Sequence, residues 1–181
     1  MISRDEALSF ITLHLKNKNL AKHCLASEAV MRAMARHFGE NEEEWGLAGL
    51  LHDADCDMAT TPEQGKKVGD MLAEKITPAM RQAMAAHNTA TGTHPTSRFD
   101  FALTAGETIT GLIVASALIL PEKKLARLTK ESIVKRFAEK RFAAGANRDL
   151  IMNCEKIGLP LDEFAGICLK AMQDISGELG L

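Results

Sequence analysis

The dipeptide His52-Asp53 is the first place in this sequence whose residue types could do chemistry. It follows the apolar run Leu47 to Leu51, at the end of what the pattern predicts to be a buried helix. A buried aspartate needs compensation, and a divalent cation held by the aspartate and the histidine would supply it. The alternative is a turn aspartate beside a structural histidine, and an isolated dipeptide does not decide between the two.

Three more residues of metal-binding type stand where a solvated side chain is not expected. His23 lies three residues after Leu20, on the core side of its helix, and His87 closes a helix with an apolar face. Glu107 lies within the most apolar helix of the chain, where an unpaired carboxylate is destabilising by several kcal/mol or takes up a proton. The alternatives are hydrogen-bonded core histidines, and a Glu107 that pairs with a basic residue or faces solvent.

The elements that position these residues are predicted to be helices, in an all-α, single-domain bundle covering residues 1–181. Ser3 with Glu6 forms a capping-box pattern, Asn41 can cap a helix that ends near His52, and Thr77-Pro78 is typical of a helix start. Thr61-Pro62 predicts another start. The remaining helices are expected at about 19–38, 99–120, 131–141, 147–156 and 161–177, with loops at 54–61 and 88–97.

Composition excludes several classes of partner. The 181 residues carry a net charge of -2, so nothing draws the whole chain to nucleic acid or to an anionic membrane. The run Ile109 to Leu120 is too short to span a bilayer, which takes ~20 apolar residues. Met1 to Phe10 carries charged residues where a signal peptide would be apolar, which favours a cytosolic protein.

The four cysteines predict neither a disulfide framework nor a zinc site. No two of them form a CxxC pair, and Cys24 and Cys168 sit among apolar neighbours. We expect these two to behave as small core hydrophobes.

Several segments together resemble the HD-domain metal-dependent phosphohydrolases. The order of His23, His52-Asp53, His87 and an acid at 107 matches that family. A small subgroup labelled "HD/HDIG domain protein" is similar in four segments. These are Asn19-Leu20-Ala21-Lys22-His23, Trp45-Gly46-Leu47-Ala48-Gly49-Leu50-Leu51-His52-Asp53, Thr110-Gly111-Leu112-Ile113-Val114 and Phe142-Ala143-Ala144-Gly145-Ala146-Asn147-Arg148.

The resemblance implies an HD-type helical fold and hydrolysis of a small phosphate ester, a nucleotide among the candidates, by attack of a metal-bound water. It implies a divalent metal held by His23, His52 and Asp53, with Glu107 and His87 as further ligands. The metal could be manganese, iron, cobalt, nickel, magnesium or zinc. Asp53, Asp55 and Asp57 are the candidate catalytic carboxylates, although the last two could equally belong to a solvated turn. Lys135, Lys140 and Arg148 are candidate phosphate contacts.

Two departures from the family leave alternatives open. The family's last ligand is an aspartate where this chain has Glu107, and further family histidines correspond here to Gln64-Gly65 and His87-Asn88. One alternative is therefore a catalytically degenerate module that binds a metal or a nucleotide. Another is a helical interaction domain, which leaves the buried ligand-type residues unexplained. Trp45, Phe99 and Phe101 are the nearest candidates for stacking a base, and association of identical chains stays open.

Overall fold

The computed structural model describes all 181 residues and consists of ten α-helices with no β-strand. The all-α, single-domain prediction is confirmed. The helices are α1 Arg4–His14, α2 Lys18–Phe38, α3 Glu42–Leu51, α4 Lys66–Met71, α5 Pro78–Ala86, α6 Arg98–Leu118, α7 Lys130–Ala138, α8 Arg148–Ile151, α9 Leu161–Asp174 and α10 Ser176–Leu179. Short 3-10 turns lie at Thr61–Glu63, Thr89–Thr91, Leu125–Arg127 and Met152–Ile157.

The helix starts follow the capping signals in the sequence. Ser3 and Glu6 make both hydrogen bonds of a capping box at α1, and the side chain of Asn41 accepts from a backbone N–H of α3. Thr77 caps α5 in the same way, with proline at the first helical position. These local predictions held because each depends only on orphan N–H groups within one turn.

Three predicted helices are shorter or more broken than their patterns indicated. Thr61-Pro62 begins only a 3-10 turn, and α4 starts after Gly65, whose φ of 84° is left-handed. The segment predicted at 147–156 is helical for one turn, α8, and continues as a 3-10 turn. The final helix breaks at Ile175, between α9 and α10.

Helices α2 and α6 form the centre of the protein. Helix α2 packs chiefly against α3 and α6, while α5, α7, α8 and α9 surround α6. Helix α6 is the one helix long and apolar enough to cross a membrane by length and composition, but most of it is buried inside the protein, as in the core of a soluble protein. The four cysteines are free, and Cys24 and Cys168 lie in the core as expected.

Glycines let two helices approach α2 closely. A Cβ at Gly49 of α3 would lie 2.6 Å from the carbonyl oxygen of Ser27, which is backbone and cannot move aside. A Cβ at Gly106 of α6 would lie 3.0 Å from Val30. These contacts hold α3 and α6 close to α2 near the candidate metal ligands of the two helices.

The variant Gly49→Ala is expected to destabilise the protein by about 1–3 kcal/mol, the range for overpacking a tight core. Urea unfolding measures the change. The matched control is Gly111→Ala in α6, because a Cβ at Gly111 meets nothing within 4 Å. That control should be neutral or stabilising by up to about 1 kcal/mol, since alanine is the better helix former. Equal effects of the two variants would contradict the close-approach account.

Candidate metal centre

The structure brings all five predicted metal ligands together from four helices. His23 lies in the first half of α2, His52 is the C-terminal cap of α3, and Asp53 follows it directly. His87 caps the C-terminus of α5, and Glu107 lies in the middle of α6. The side chains of His52 and His87 are buried, whereas those of His23, Asp53 and Glu107 are 24%, 17% and 15% exposed, so the cluster opens on one side.

Three ligand atoms form a small triangle at the centre of the cluster. His23 Nε2 lies 3.1 Å from His52 Nε2 and 3.6 Å from Asp53 Oδ2, and the third edge, from His52 Nε2 to Asp53 Oδ2, is 3.5 Å. Atoms bound at about 2.0–2.1 Å to one tetrahedral or octahedral ion lie roughly 2.9–3.4 Å apart. The observed edges are within a few tenths of an ångström of that range.

The other two residues extend the triangle in opposite directions. Glu107 Oε2 is 3.6 Å from His23 Nε2, and His87 Nε2 is 3.3 Å from Asp53 Oδ1. His23, His52 and Glu107 form one group of potential ligands, while His52, Asp53 and His87 form a second. Within each group the ligand atoms lie within 4.8 Å of one another, and the two groups share His52.

Hydrogen bonds on the far side of each imidazole fix its orientation. The Nδ1–H of His52 donates to the carbonyl of Gly49 at 2.8 Å, and that of His87 donates to the carbonyl of Met84 at 2.5 Å. His23 Nδ1 lies 3.0 Å from the hydroxyl of Thr110. That hydroxyl also lies 2.7 Å from the carbonyl of Glu107 and donates to it when Nδ1 of His23 carries the proton.

This anchoring directs the Nε2 atoms of the rings toward the centre of the cluster. His52 carries its proton on Nδ1, so its Nε2 atom accepts. When His23 also carries its proton on Nδ1, two acceptors face each other at 3.1 Å, and when it carries the proton on Nε2, that atom donates to His52. Two acceptors at that distance repel unless a proton or a cation is shared between them. Metal-binding histidines in proteins are anchored through the other ring nitrogen in this manner.

The charge of the second group is set by burial and by Asp53. Burial lowers the pKa of His52 to about 3, so this ring is neutral. Burial also opposes charge on His87, but the hydrogen bond to Asp53 and the charge of that carboxylate outweigh it and raise the pKa of His87 to about 9. Burial likewise acts against the charged form of Asp53, but the surrounding imidazoles hold its pKa below the usual range.

Glu107 reaches the cluster despite the extra methylene that separates it from the family's aspartate. Burial raises the pKa of its carboxyl group, and the charges of His23 and His87 oppose that rise. Its second oxygen contacts the hydroxyl of Thr108. An ionised carboxylate at this depth needs a positive partner, and no lysine or arginine pairs with it.

Asp55, predicted as a candidate catalytic carboxylate, has backbone partners in the structure. The buried carboxylate accepts hydrogen bonds from the backbone N–H groups of Gly65 and Val68, at 2.9–3.0 Å. It therefore holds the start of α4. Gly65 in turn lies against the carbonyl of Met84, only 2.1 Å from where its Cβ would be, and that carbonyl anchors His87. Asp55 is thus a positioning residue for His87.

Asp57 and the two predicted phosphate-binding lysines also lie away from the ligand atoms. Asp57 is exposed and accepts from the backbone N–H of Lys16 at 2.7 Å. Lys135 lines a separate surface cavity beside Asp162, and Lys140 is exposed in the turn after α7. None of these three residues lines the cavity that His23 and Glu107 line, so their predicted roles stay predictions.

The guanidinium of Arg148, a predicted phosphate contact, is hydrogen-bonded to the protein itself. It donates to six backbone carbonyls at the end of α7 and in the following loop, at 2.6–3.4 Å. One of them belongs to Ala143, whose φ of 45° is left-handed and unfavourable for alanine. Arg148 therefore fixes the shape of the loop 139–147.

That loop forms one wall of a cavity beside two of the candidate ligands, His23 and Glu107. The cavity has a volume of about 430 Å³ and is lined on one side by His23, Glu107 and Thr108. The opposite wall includes Ala143, Gly145 and Asn147. A small substrate can therefore reach Glu107 and His23 from solvent.

The aromatic residues proposed for base stacking do not line this cavity. Trp45 and Phe99 stack on each other in the core, with ring centroids 4.9 Å apart and planes 3° from parallel. Phe101 is half-buried against the same core. The prediction of a stacking role for these rings is therefore wrong for Trp45 and Phe99.

No family model, curated protein or solved structure matches this chain. The resemblance to HD-domain proteins therefore rests on the sequence segments alone.

Sequence reasoning missed Thr110 and the structural role of Arg148. Thr110 lies one helical turn after Glu107, and that spacing could have indicated that both face the same neighbour. The carbonyls that Arg148 binds depend on the path of a loop, which has no periodic signal.

The stability of the metal-free protein is expected to fall on both sides of about pH 6.5. His52 titrates near 3 when folded and near 6.5 when unfolded, so the unfolded chain binds more protons between these values and stability falls with decreasing pH. His87 titrates near 9 when folded, so the folded chain holds the extra proton and stability falls as pH rises from 6.5 to 9. Melting temperatures of chelator-treated protein between pH 4 and 10 measure both effects.

The variant His87→Gln separates the alkaline effect from other titrating groups. It should lose the decline between pH 6.5 and 9, while the exposed-face control His37→Gln should keep it. An unchanged alkaline decline in His87→Gln would refute the assignment to this histidine.

Proposed function

We propose that this protein is a metal-dependent phosphohydrolase whose divalent metal ion is held by His23, His52 and Asp53, with Glu107 completing the ligand set. One observation carries the metal site, and the resemblance described above supplies the reaction. Two imidazole Nε2 atoms, each ring held at its Nδ1, lie 3.1 Å apart beside one carboxylate oxygen at 3.5–3.6 Å from both. Such an arrangement binds a cation better than it binds anything neutral.

The donor set fits a divalent ion of the transition series or magnesium. Two imidazole nitrogens suit manganese, iron, cobalt, nickel and zinc, and the two carboxylates broaden the choice to magnesium. The cluster has one exposed side, as a catalytic site requires and a closed structural site does not. His87 lies on the far side of Asp53, and its Nε2 atom contacts Oδ1 of that carboxylate.

A divalent cation in this position supplies Lewis acidity to a phosphoryl oxygen and to water. The chain itself supplies the rest of the site. Glu107 and His23 line the floor of the cavity, so a phosphate group placed there touches both. The loop held by Arg148 closes the opposite wall and limits how the organic part of the substrate can be placed.

The test is metal content together with hydrolysis. Purified protein should contain about one divalent metal per chain and hydrolyse p-nitrophenyl phosphate in a metal-dependent manner. His52→Ala and Asp53→Ala should each lose the metal and the activity. They should also lose the stabilisation from binding, about 2.7 kcal/mol when free metal is 100-fold above Kd.

His14→Ala and His37→Ala are the matched controls, because these histidines pack beside Phe10 and Phe38 and belong to neither ligand group. Their metal content should be unchanged. Full metal content in both His52→Ala and Asp53→Ala would remove the site, and metal binding without any hydrolysis would support a binding module instead.

Variants of Glu107 distinguish an enzyme adapted to glutamate from a catalytically degenerate site. Glu107→Gln keeps the shape but removes the charge, so metal affinity should fall about tenfold or more while the fold survives. Glu107→Asp withdraws the carboxylate from His23, now 3.6 Å away, and should bind metal no better and hydrolyse more slowly. Calorimetric metal titration and p-nitrophenyl phosphate hydrolysis measure both. Tighter metal binding by Glu107→Asp would favour a degenerate metal-binding module.

A further inference from the structure

A second cavity adjoins the one over the metal ligands. It also has a volume of about 430 Å³, within the ~300–1,000 Å³ typical of ligand sites. It lies between α2, α6 and α10, and His23 and Gly111 line both cavities. The two spaces therefore meet at these residues, and a molecule bound at the metal ligands can extend into the second.

The second cavity is aliphatic in character. Its apolar lining consists of Ala26, Val114, Leu118, Leu179 and Leu181. Lys22 and Asn19 stand among its polar residues, and the ammonium of Lys22 donates to the carbonyl of Leu179 at 2.8 Å, which ties α10 to α2. Neither cavity is lined by phenylalanine or tryptophan, and the chain has no tyrosine, so nothing is placed to stack a nucleobase.

Gly111 lines both cavities and carries no side chain between them. It stands inside a long helix, where glycine is less stable than alanine by about 1 kcal/mol. Packing does not explain it, since a Cβ there would meet nothing within 4 Å and its φ is not left-handed. A side chain at this position would project into the junction that both cavities share.

We infer that the substrate is the phosphate ester of an aliphatic alcohol, with its phosphate at the metal ligands and its alkyl group lying across Gly111 in the aliphatic cavity. This rests on the proposed function for the position of the phosphate. Gly111, Val114 and Leu118 follow one another along α6 over roughly 10 Å, the length of a hexyl to octyl chain. Continuity with the metal-ligand cavity and the absence of aromatic side chains select this occupant over a nucleotide.

The experiment measures binding, not turnover. Methyl-, butyl-, hexyl- and octylphosphonate are titrated calorimetrically into the manganese-supplemented protein, with adenosine 5′-phosphonate for comparison. Affinity should rise roughly two- to fourfold per added methylene, as expected for burial of an alkyl chain. Octylphosphonate should bind more tightly than the nucleoside phosphonate.

Two variants test whether the alkyl group binds in the aliphatic cavity. Gly111→Leu should fold at least as stably as the wild type and bind methylphosphonate, but its affinity for octylphosphonate should fall by roughly tenfold or more. Leu118→Ala should weaken octylphosphonate binding and leave butylphosphonate unaffected. Leu13→Ala, which removes an exposed leucine outside the cavity, is the control and should change neither.

The inference is overturned if affinity does not depend on chain length, if Gly111→Leu leaves that dependence intact, if the nucleoside phosphonate binds best, or if no phosphonate binds at millimolar concentration. Hydrolysis of p-nitrophenyl phosphate is scored separately. Hydrolysis without chain-length dependence leaves the proposed function standing and removes the alkyl site. Chain-length dependence without hydrolysis of any phosphate ester supports the alkyl site and removes the proposed function.

Discussion

Two imidazole Nε2 atoms, of His23 and His52, lie 3.1 Å apart at the centre of this protein, and the surrounding structure holds them there. Each ring is prevented from turning away by a hydrogen bond at its other nitrogen, between Nδ1 of His52 and the carbonyl of Gly49 and between Nδ1 of His23 and the hydroxyl of Thr110. At this distance the two nitrogens can share a proton or a cation. The fold therefore holds two nitrogens of metal-binding type at a spacing that one shared positive charge satisfies.

Packing contacts and hydrogen bonds of residues that are not candidate ligands bring these side chains together. Gly49 allows α3 to lie against the backbone of α2, which places His52 beside His23. Gly106 does the same for α6 and, one residue later, places Glu107 on the same cluster. Asp55 acts at longer range, through Gly65 and the carbonyl of Met84, on the ring of His87. Substitutions at these residues would disturb the site without touching a ligand.

The sequence predicted the helices and the ligand candidates better than the surroundings of the site. Helix caps such as Ser3 and Thr77 are local, and apolar spacing marks α2 and α6, so both could be derived without the fold. The sequence indicates His52, Asp53 and Glu107 as candidate ligands because these polar residues stand beside apolar neighbours.

Asp55 and Arg148 have structural partners that the sequence did not predict, for a common physical reason. Charged residues next to a motif are easily assigned to chemistry, yet both of these satisfy backbone groups brought to them by distant turns. The number of backbone groups that a loop leaves unpaired depends on its path in three dimensions. That path is set by tertiary contacts, which no local pattern records.

Under the proposed function, folding and metal binding would be coupled. Without a cation, the protein must bury His52 uncharged, which reduces the free energy of unfolding below about pH 6.5, and must hold Glu107 in a site where burial raises its carboxyl pKa. The same groups would be ligands of a bound cation, and the energy of binding would then add to the stability of the folded state alone. Residues that weaken the metal-free fold would in this way tie its stability to the ion. The partial exposure of His23 and Glu107 is what an open site of this kind requires.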